Sequence, residues 1–445
     1  MRYIPHTDQD IKQMLSTIGV DSIADLFSSI PENVRLSRPL DLEAPLMENE
    51  LIEHLGDLAW RNEGASLSCF AGGGSYKHHI PPILDQMLQR SEFYTAYTPY
   101  QAEISQGTLQ AIYEFQTMVT RLLDMDVANA SMYDGASALA ESALMSARLT
   151  RKKKLLVSDG VNFTYRQVVN TYTREQEFEI VSLPLGEDGR TDLSVLAEKL
   201  TDDFAAVMIQ SPNQYGVIED LRNAGKIVGP SKAKYVVCFT EALAYGMLAG
   251  PGKFGADIVC GEGQSFGIPM SYGGPNLGLF TTSLKDVRSM PGRICGRTVD
   301  SNDAVGYVLT LATREQHIRR DRATSNICTN QALCALAACI YMSILGAKGL
   351  PMLAKINHAK AQYLKDSLKK AGAVLPYSAP TFNEFVFETK QDAEEVIHDM
   401  CHMGYLAGIP IVEHGKTSNR ILVCATETTT KQEIDDYVEC IQEFL

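Results

Sequence analysis

Apolar positions in the first 70 residues recur at helical spacing, in short stretches. Ile11, Met14 and Leu15 share one face behind Asp8 and Asp10, either of which is placed to cap a helix. The runs from Ile23 to Ser28 and from Leu51 to Trp60 have the same character. A longer helix is predicted from Ser105, where Leu109, Ile112, Phe115, Met118, Val119 and Leu122 fall on one side. The pattern then changes to short continuous apolar runs: Leu155 to Val157, Phe178 to Leu183, Ala205 to Ile209, Tyr235 to Phe239 and Asp257 to Cys260. Helix-period segments such as Leu193 to Leu200 separate several of them. Strands without polar alternation, interleaved with helices, predict a largely parallel sheet covered on both faces. A long helix from Gly346 to Lys370 leads into a smaller strand–helix–strand–helix unit: Glu384 to Phe387, Gln391 to Met403, Arg420 to Ala425 and Lys431 to Phe444. The predicted organisation is a helical arm over 1–70, a large α/β domain over 71–345 and a small C-terminal α/β domain over 346–445.

Composition narrows the setting. With 54 acidic residues against 40 Lys and Arg in 445, the formal charge is −14. That balance repels phosphodiester backbones and anionic lipid headgroups, so nucleic acid and membrane surfaces are not expected partners. The ten cysteines are scattered, mostly inside apolar runs, with no Cys-x-x-Cys pair, which speaks against zinc and thioredoxin-like chemistry. Free buried thiols point to a reducing compartment. The N-terminus carries no apolar signal core, and the stretch Ala332 to Leu345 falls short of the roughly 20 residues of a membrane span. A cytoplasmic protein with a buried helix at 332–345 is the expectation.

Four stretches carry candidate chemistry, each with a plainer alternative. Ala71-Gly72-Gly73-Gly74-Ser75-Tyr76-Lys77-His78-His79 has consecutive amides able to cradle an anion, or is a turn before Pro81-Pro82. Its adjacent histidines diverge and lack a third ligand, so no metal site is expected. Thr95 to Gly107, with Tyr97, Tyr100, Gln101 and Glu103, is a polar and aromatic loop that suits a site or an oligomer contact. Gly135-Ala136-Ser137 opens a helix after a presumed strand, which suits phosphate or an ordinary cap. Gly255 to Pro269 is a strand ending in a polar turn and a Gly/Pro-rich loop, the place where ligands meet α/β sheets.

Five segments give these stretches a common meaning. They are Tyr3-Ile4-Pro5-His6-Thr7, Tyr97-Thr98-Pro99-Tyr100-Gln101 with Ser105-Gln106-Gly107, Gly261-Glu262-Gly263-Gln264, Thr313 to Arg320, and Thr324 to Gln331. In this order the chain resembles the P-protein family of the glycine cleavage system, pyridoxal-phosphate-dependent glycine dehydrogenases (decarboxylating). Within it the chain is similar to the subunit 1, or α, chains of the two-chain form. The resemblance implies the fold-type-I aminotransferase architecture. It also implies that glycine is decarboxylated and its aminomethyl group passed to the lipoyl arm of H protein.

The position that matches the cofactor-binding lysine of catalytic family members is Gln264, and an amide cannot form an imine. Thr240 falls about where fold-type-I enzymes place an Asp beside the pyridine nitrogen. The resemblance therefore implies no catalytic residue and no covalent cofactor in this chain. Pyridoxal phosphate would be carried by a partner, the subunit 2 (β) chain of a heterotetramer. Thr324, Ser325 and Asn326 would reach toward that partner's cofactor, while Gly135, Ala136 and Ser137 would be a vestigial phosphate cup. Tyr97, Tyr100, Gln101, Glu103, His317, Arg319 and Arg320 would serve substrate or interface. Two rivals remain at this stage: an autonomous enzyme using Lys253 or Lys234, and a regulatory pseudo-enzyme without a catalytic partner.

Overall fold

The computed structural model describes residues 5–327, 330–413 and 415–445. They form two compact units, Met1–Glu63 and Gly64–Leu445. The first unit holds helices Asp8–Ile18 and Glu48–Trp60 joined by short turns. Thr7, and not Asp8 or Asp10, is the N-cap: it accepts from the Asp10 amide, and Asp10 bonds back to Thr7. No described residue of this unit is buried, and Phe27, Leu40, Leu42 and Trp60 stand exposed.

In the second unit seven strands form the main sheet: β1 (Val127–Ala128), β2 (Lys154–Ser158), β3 (Glu179–Leu183), β4 (Phe204–Gln210), β5 (Lys234–Phe239), β6 (Ile258–Glu262) and β7 (Gly278–Thr282). Their order is β1-β7-β6-β5-β4-β2-β3. β3, β2, β4, β5 and β6 run parallel, and β7 is antiparallel to β6. Every residue of β4 and of β6 is buried, as apolar strands with both faces covered require. The helix Gln106–Leu123 buries Leu109, Ile112, Phe115, Val119 and Leu123, the face its periodicity predicts. β1, β7 and the antiparallel hairpin β8 (Ile294–Val299) and β9 (Val305–Thr310) lie outside the predicted strands. Two-residue β1 and Thr-rich β7 lack an apolar run, and β9 is only half-buried.

The helices predicted at 332–345 and 346–370 are one element, Ala332–Ala371, broken at Gly346, whose φ of 61° is non-helical. By length and composition it could cross a membrane, contrary to the sequence count that stopped at Leu345. In this fold Ala335, Ala338, Cys339 and Tyr341 lie in a core with Phe115 and Phe266. After it come β10 (Glu384–Glu388), β11 (Ile409–Glu413) and β12 (Lys416–Cys424), in the order β10-β12-β11. Helices Ala393–His402 and Lys431–Ile441 cover this sheet. Ser68–Cys69 pairs with Tyr405–Leu406, and Phe70 stacks on Tyr437 with centroids 4.2 Å apart. Residues 68–70, placed in the arm by the sequence, thus pack with the C-terminal layer.

Candidate active site

The parallel register pairs Cys238 with Cys260 and Phe239 with Gly261, so β5 and β6 end together. Thr240 leaves one end and Gln264 the other, both buried. Over them lies the glycine-rich loop. Gln264 Oε1 accepts from the Tyr76 amide at 3.0 Å, and its Nε2 donates to the carbonyls of Tyr76 at 3.1 Å and Ile268 at 2.6 Å. The Tyr76 phenol, 0 % exposed, donates to Glu384 Oε1 at 2.9 Å and sits 3.2 Å from Thr240 Oγ1. Glu384 Oε2 accepts from the Gly73 amide at 2.8 Å. The loop needs its glycines: Gly73 and Gly74 have φ of +72° and +117°, and a Cβ on Gly72 would lie 2.5 Å from Glu384 Oε2.

The helix Gly135–Thr150 begins beside β6, as its short opening residues predict. Its amides are not free for phosphate, however. Gly135 N–H donates to Glu262 Oε2 at 3.0 Å, and Ser137 N–H to the capping Asp134 at 2.7 Å. Glu262 Oε1 also accepts from Gln264 and Leu277 amides at 3.1 and 2.8 Å. A Cβ on Gly135 would stand 2.2 Å from the Tyr165 hydroxyl. Two of the three amides of the cup read from Gly135, Ala136 and Ser137 therefore already donate to carboxyl groups of the same chain, Glu262 and Asp134.

Burial dominates the electrostatics. It pushes the carboxyls of Glu262 and Glu384 up to about 7, against the amide and phenol donors that favour their anions. His78 is the exception. Burial opposes its charge, yet Nε2 lies 3.1 Å from Glu241 Oε2 and Nδ1 2.8 Å from Glu427 Oε2, and these partners raise it to about 9. With an acceptor on each side, both ring nitrogens carry protons.

Pyridoxal phosphate, the cofactor the resemblance brings with it, does not fit these residues. The position the resemblance assigns to its lysine holds an amide with both ends bonded, the position it assigns to the pyridine partner holds a hydroxyl, and the Gly135 amide already has an acceptor. Lys234 and Lys253 do not substitute. Lys234 starts β5, at the opposite end from the site, and pairs with Asp286 at 2.8 Å and Asp257 at 3.3 Å. Lys253 lies on the turn Pro251–Phe254, which precedes β6.

The glycine cleavage system P-protein description matches residues 1–441. The chain belongs to that family. It is 49 % identical over 445 residues to a Desulfotalea psychrophila protein named probable glycine dehydrogenase (decarboxylating) subunit 1, covering 99 % of this chain and 98 % of that one. A relative of the same name from Anaeromyxobacter dehalogenans is 49 % identical over 96 % of each chain. A crystal structure of inhibitor-bound glycine decarboxylase (P-protein) superposes with a TM-score of 0.91 at 39 % identity, covering 100 % of both chains. A Burkholderia pseudomallei sphingosine-1-phosphate lyase, at 14 % identity, TM-score 0.65 and coverage of 94 % and 93 %, shares the fold. The fold-type-I expectation is met.

Two of the P-protein motifs, at 97–101 and 313–320, meet through a residue the sequence reading overlooked. Arg293, 4 % exposed, pairs with Glu315 at 3.2 Å and donates to Thr98 Oγ1 at 3.2 Å and to the Tyr100 hydroxyl at 2.8 Å. Its guanidinium also lies over the Tyr100 ring. His317 approaches the same ring edge-on at 6.0 Å and Glu315 at 3.7 Å. The sequence carries no signal for its burial, because the strand that follows it, Ile294–Val299, is interrupted by Gly296, Arg297 and Thr298. Tyr97 is exposed beside a pocket of about 180 Å³ that Phe93, Ile112, Leu333 and Leu336 also line. Gln101, Glu103, Arg319 and Arg320 lie at the surface, and neither arginine has an ion-pair partner among the described residues. Thr324 donates its amide to the Arg314 carbonyl at 3.0 Å, and Ser325 Oγ donates to Glu141 Oε1 of its own chain at 2.7 Å. Asn326 is exposed. Cys328 and Thr329, within the last motif, and Tyr3 and Ile4, within the first, lie outside the described residues.

Proposed function

We propose that this chain is the cofactor-free subunit of a two-chain glycine dehydrogenase (decarboxylating). In this reading a second subunit carries pyridoxal phosphate, and the assembly passes the aminomethyl group of glycine to the lipoyl arm of H protein. The observation that carries the proposal is Gln264, held as a structural amide at the position where the resemblance puts the lysine of the family's catalytic members. The subunit 1 name of the relatives supports a second chain. The exposed apolar side chains of Met1–Glu63 supply area for an assembly partner.

This chain's contribution is then to complete a site it does not host. Tyr100 and His317, set by Arg293 and Glu315, present a phenol and an imidazole at the surface. Arg319 and Arg320 add positive charge suited to a carboxylate or phosphate, in a protein of net charge −14. Thr324, Ser325 and Asn326 form the adjoining loop toward the partner's cofactor. All nine cysteines among the described residues are free thiols, which supports a cytoplasmic setting.

The test is affinity purification of the chain from its native cells, then borohydride reduction with pyridoxal phosphate and peptide mass spectrometry. The expected result is a lysine adduct on a copurifying second chain and none on this one. A stoichiometric adduct on a lysine of this chain would overturn the reading and restore the autonomous enzyme. Absence of any second chain would favour the regulatory pseudo-enzyme.

A further inference from the structure

We propose that Tyr76 and Glu262 are built-in replacements for the cofactor, so that the missing lysine is only one of three obstacles to binding it. The proposal rests on the reading that this chain carries no pyridoxal phosphate of its own. It adds how the vacated site is closed.

A pyridoxal phosphate site in this fold makes three demands: an amine at the aldehyde carbon, a partner for the ring nitrogen, and amides for the phosphate. Each of the three positions is bridged here by the chain itself. The backbone N–H and C=O of Tyr76 hold both ends of the Gln264 amide, while its phenol reaches Thr240. One tyrosine therefore spans the two positions that would grip opposite sides of a pyridine ring. Glu262 supplies the acceptor for the Gly135 amide, taking the part of a phosphate oxygen. Buried donors without a ligand must find other acceptors, and these two residues provide them.

The loop that brings Tyr76 in is fastened at both ends. Upstream, Gly73 N–H bonds Glu384, and the Gly73 carbonyl accepts from Asn162 Nδ2 at 3.2 Å. Downstream, His78 is held between Glu241 and Glu427, and the His79 amide donates to Glu427 at 2.6 Å. Glu241 follows β5, while Glu384 and Glu427 come from the C-terminal layer. The strap thus ties the two layers together across the place a cofactor would occupy. The Ser265 hydroxyl beside it is buried with no hydrogen-bond partner among the described residues, so the substitution satisfies the core of the site and leaves one polar atom over.

Restoring the lysine alone should then fail. The full chain is compared as wild type, as Q264K and as Q264K/Y76A/E262A, each incubated with pyridoxal phosphate, reduced with borohydride and mapped by mass spectrometry. The triple variant is expected to be labelled at position 264 at least ten-fold more than Q264K. Equal labelling of the two, or no labelling of a triple variant with wild-type far-UV dichroism, overturns the proposal. A triple variant that does not fold is covered by hydrogen exchange on the wild-type chain. The amides of Gly73 and Tyr76 are expected to exchange as slowly as those of β5, and exchange as fast as at Gly273 overturns the strap. Labelling of the wild-type chain at any lysine would instead overturn the cofactor-free reading, so the two failures are distinguishable.

Discussion

Replacing His78 by Gln removes one buried charge and leaves most of the local volume in place. The imidazole contacts Glu241 at 3.1 Å and Glu427 at 2.8 Å, with its side chain 3 % exposed. Burial by itself would lower its pKa, but the two carboxylates reverse that and lift it from 6.5 to about 9. At ~1.4 kcal/mol for each pKa unit, this corresponds to about 3 kcal/mol of folding stability. Glu427, carried down to about 2 against the desolvation that would raise it, reports the same contact from the other side and adds nothing further. Because the folded pKa is raised, the contribution is complete below about 6.5, where the unfolded ring is also charged. It is lost as pH rises through about 9. Urea unfolding followed by far-UV dichroism, run for wild type and His78→Gln across that range, reads the difference directly. The variant should be less stable by about 3 kcal/mol at the acid end, and the gap should close above pH 9. A gap that stays constant or widens with pH would refute the doubly paired imidazolium.

Two further variants address the surface proposed to complete the partner's site. Arg293→Met strands Glu315 in a buried position, so it should cost about 3 kcal/mol of stability; in the assembled enzyme it should lower kcat/KM for glycine at least ten-fold as Tyr100 and His317 lose their support, and unchanged kinetics would remove this cluster from the function. Thr324→Ala/Ser325→Ala removes the donor to Glu141, a carboxyl whose pKa burial already raises, and should cost about 1–2 kcal/mol. It should also reduce glycine turnover by the reconstituted pair, with unchanged turnover sinking the role of that loop.

The elements that define the fold are those the hydrophobic pattern exposes most clearly. β4 is apolar from Phe204 to Ile209 because its two faces pack on two separate cores, and the helix Gln106–Leu123 turns one apolar face inward. β7 fell outside the predicted strands because Gly278 and two threonines leave it no apolar run, although Thr281 and Thr282 are buried and donate to the carbonyls of Val259 on β6 and of Asp257 just before it. In the site, Gln264 was identifiable because a lysine was expected at one position of a recognisable motif. Tyr76 and Glu384 were not. They lie 308 positions apart and meet only because residues 68–70 pack with the C-terminal sheet. Nothing local in either segment announces that contact. The same holds for Arg293, whose partners Tyr100 and Glu315 come from separate motifs.

The substitutions at this site make physical sense only as a group. With Gln264 but no Tyr76 backbone against it, both ends of a buried amide would lack partners. Without Glu262, three backbone amides would face no acceptor. Each such loss costs about 1–3 kcal/mol, against a net stability of ordinary domains of only about 5–15 kcal/mol. A chain that merely lost its lysine would therefore be left with a weakened centre at the junction of its two sheets. The strap removes that weakness through the Tyr76 backbone and the Glu262 carboxyl. Binding the cofactor here would require undoing several favourable contacts together, so packing opposes it as well as the side chain at position 264.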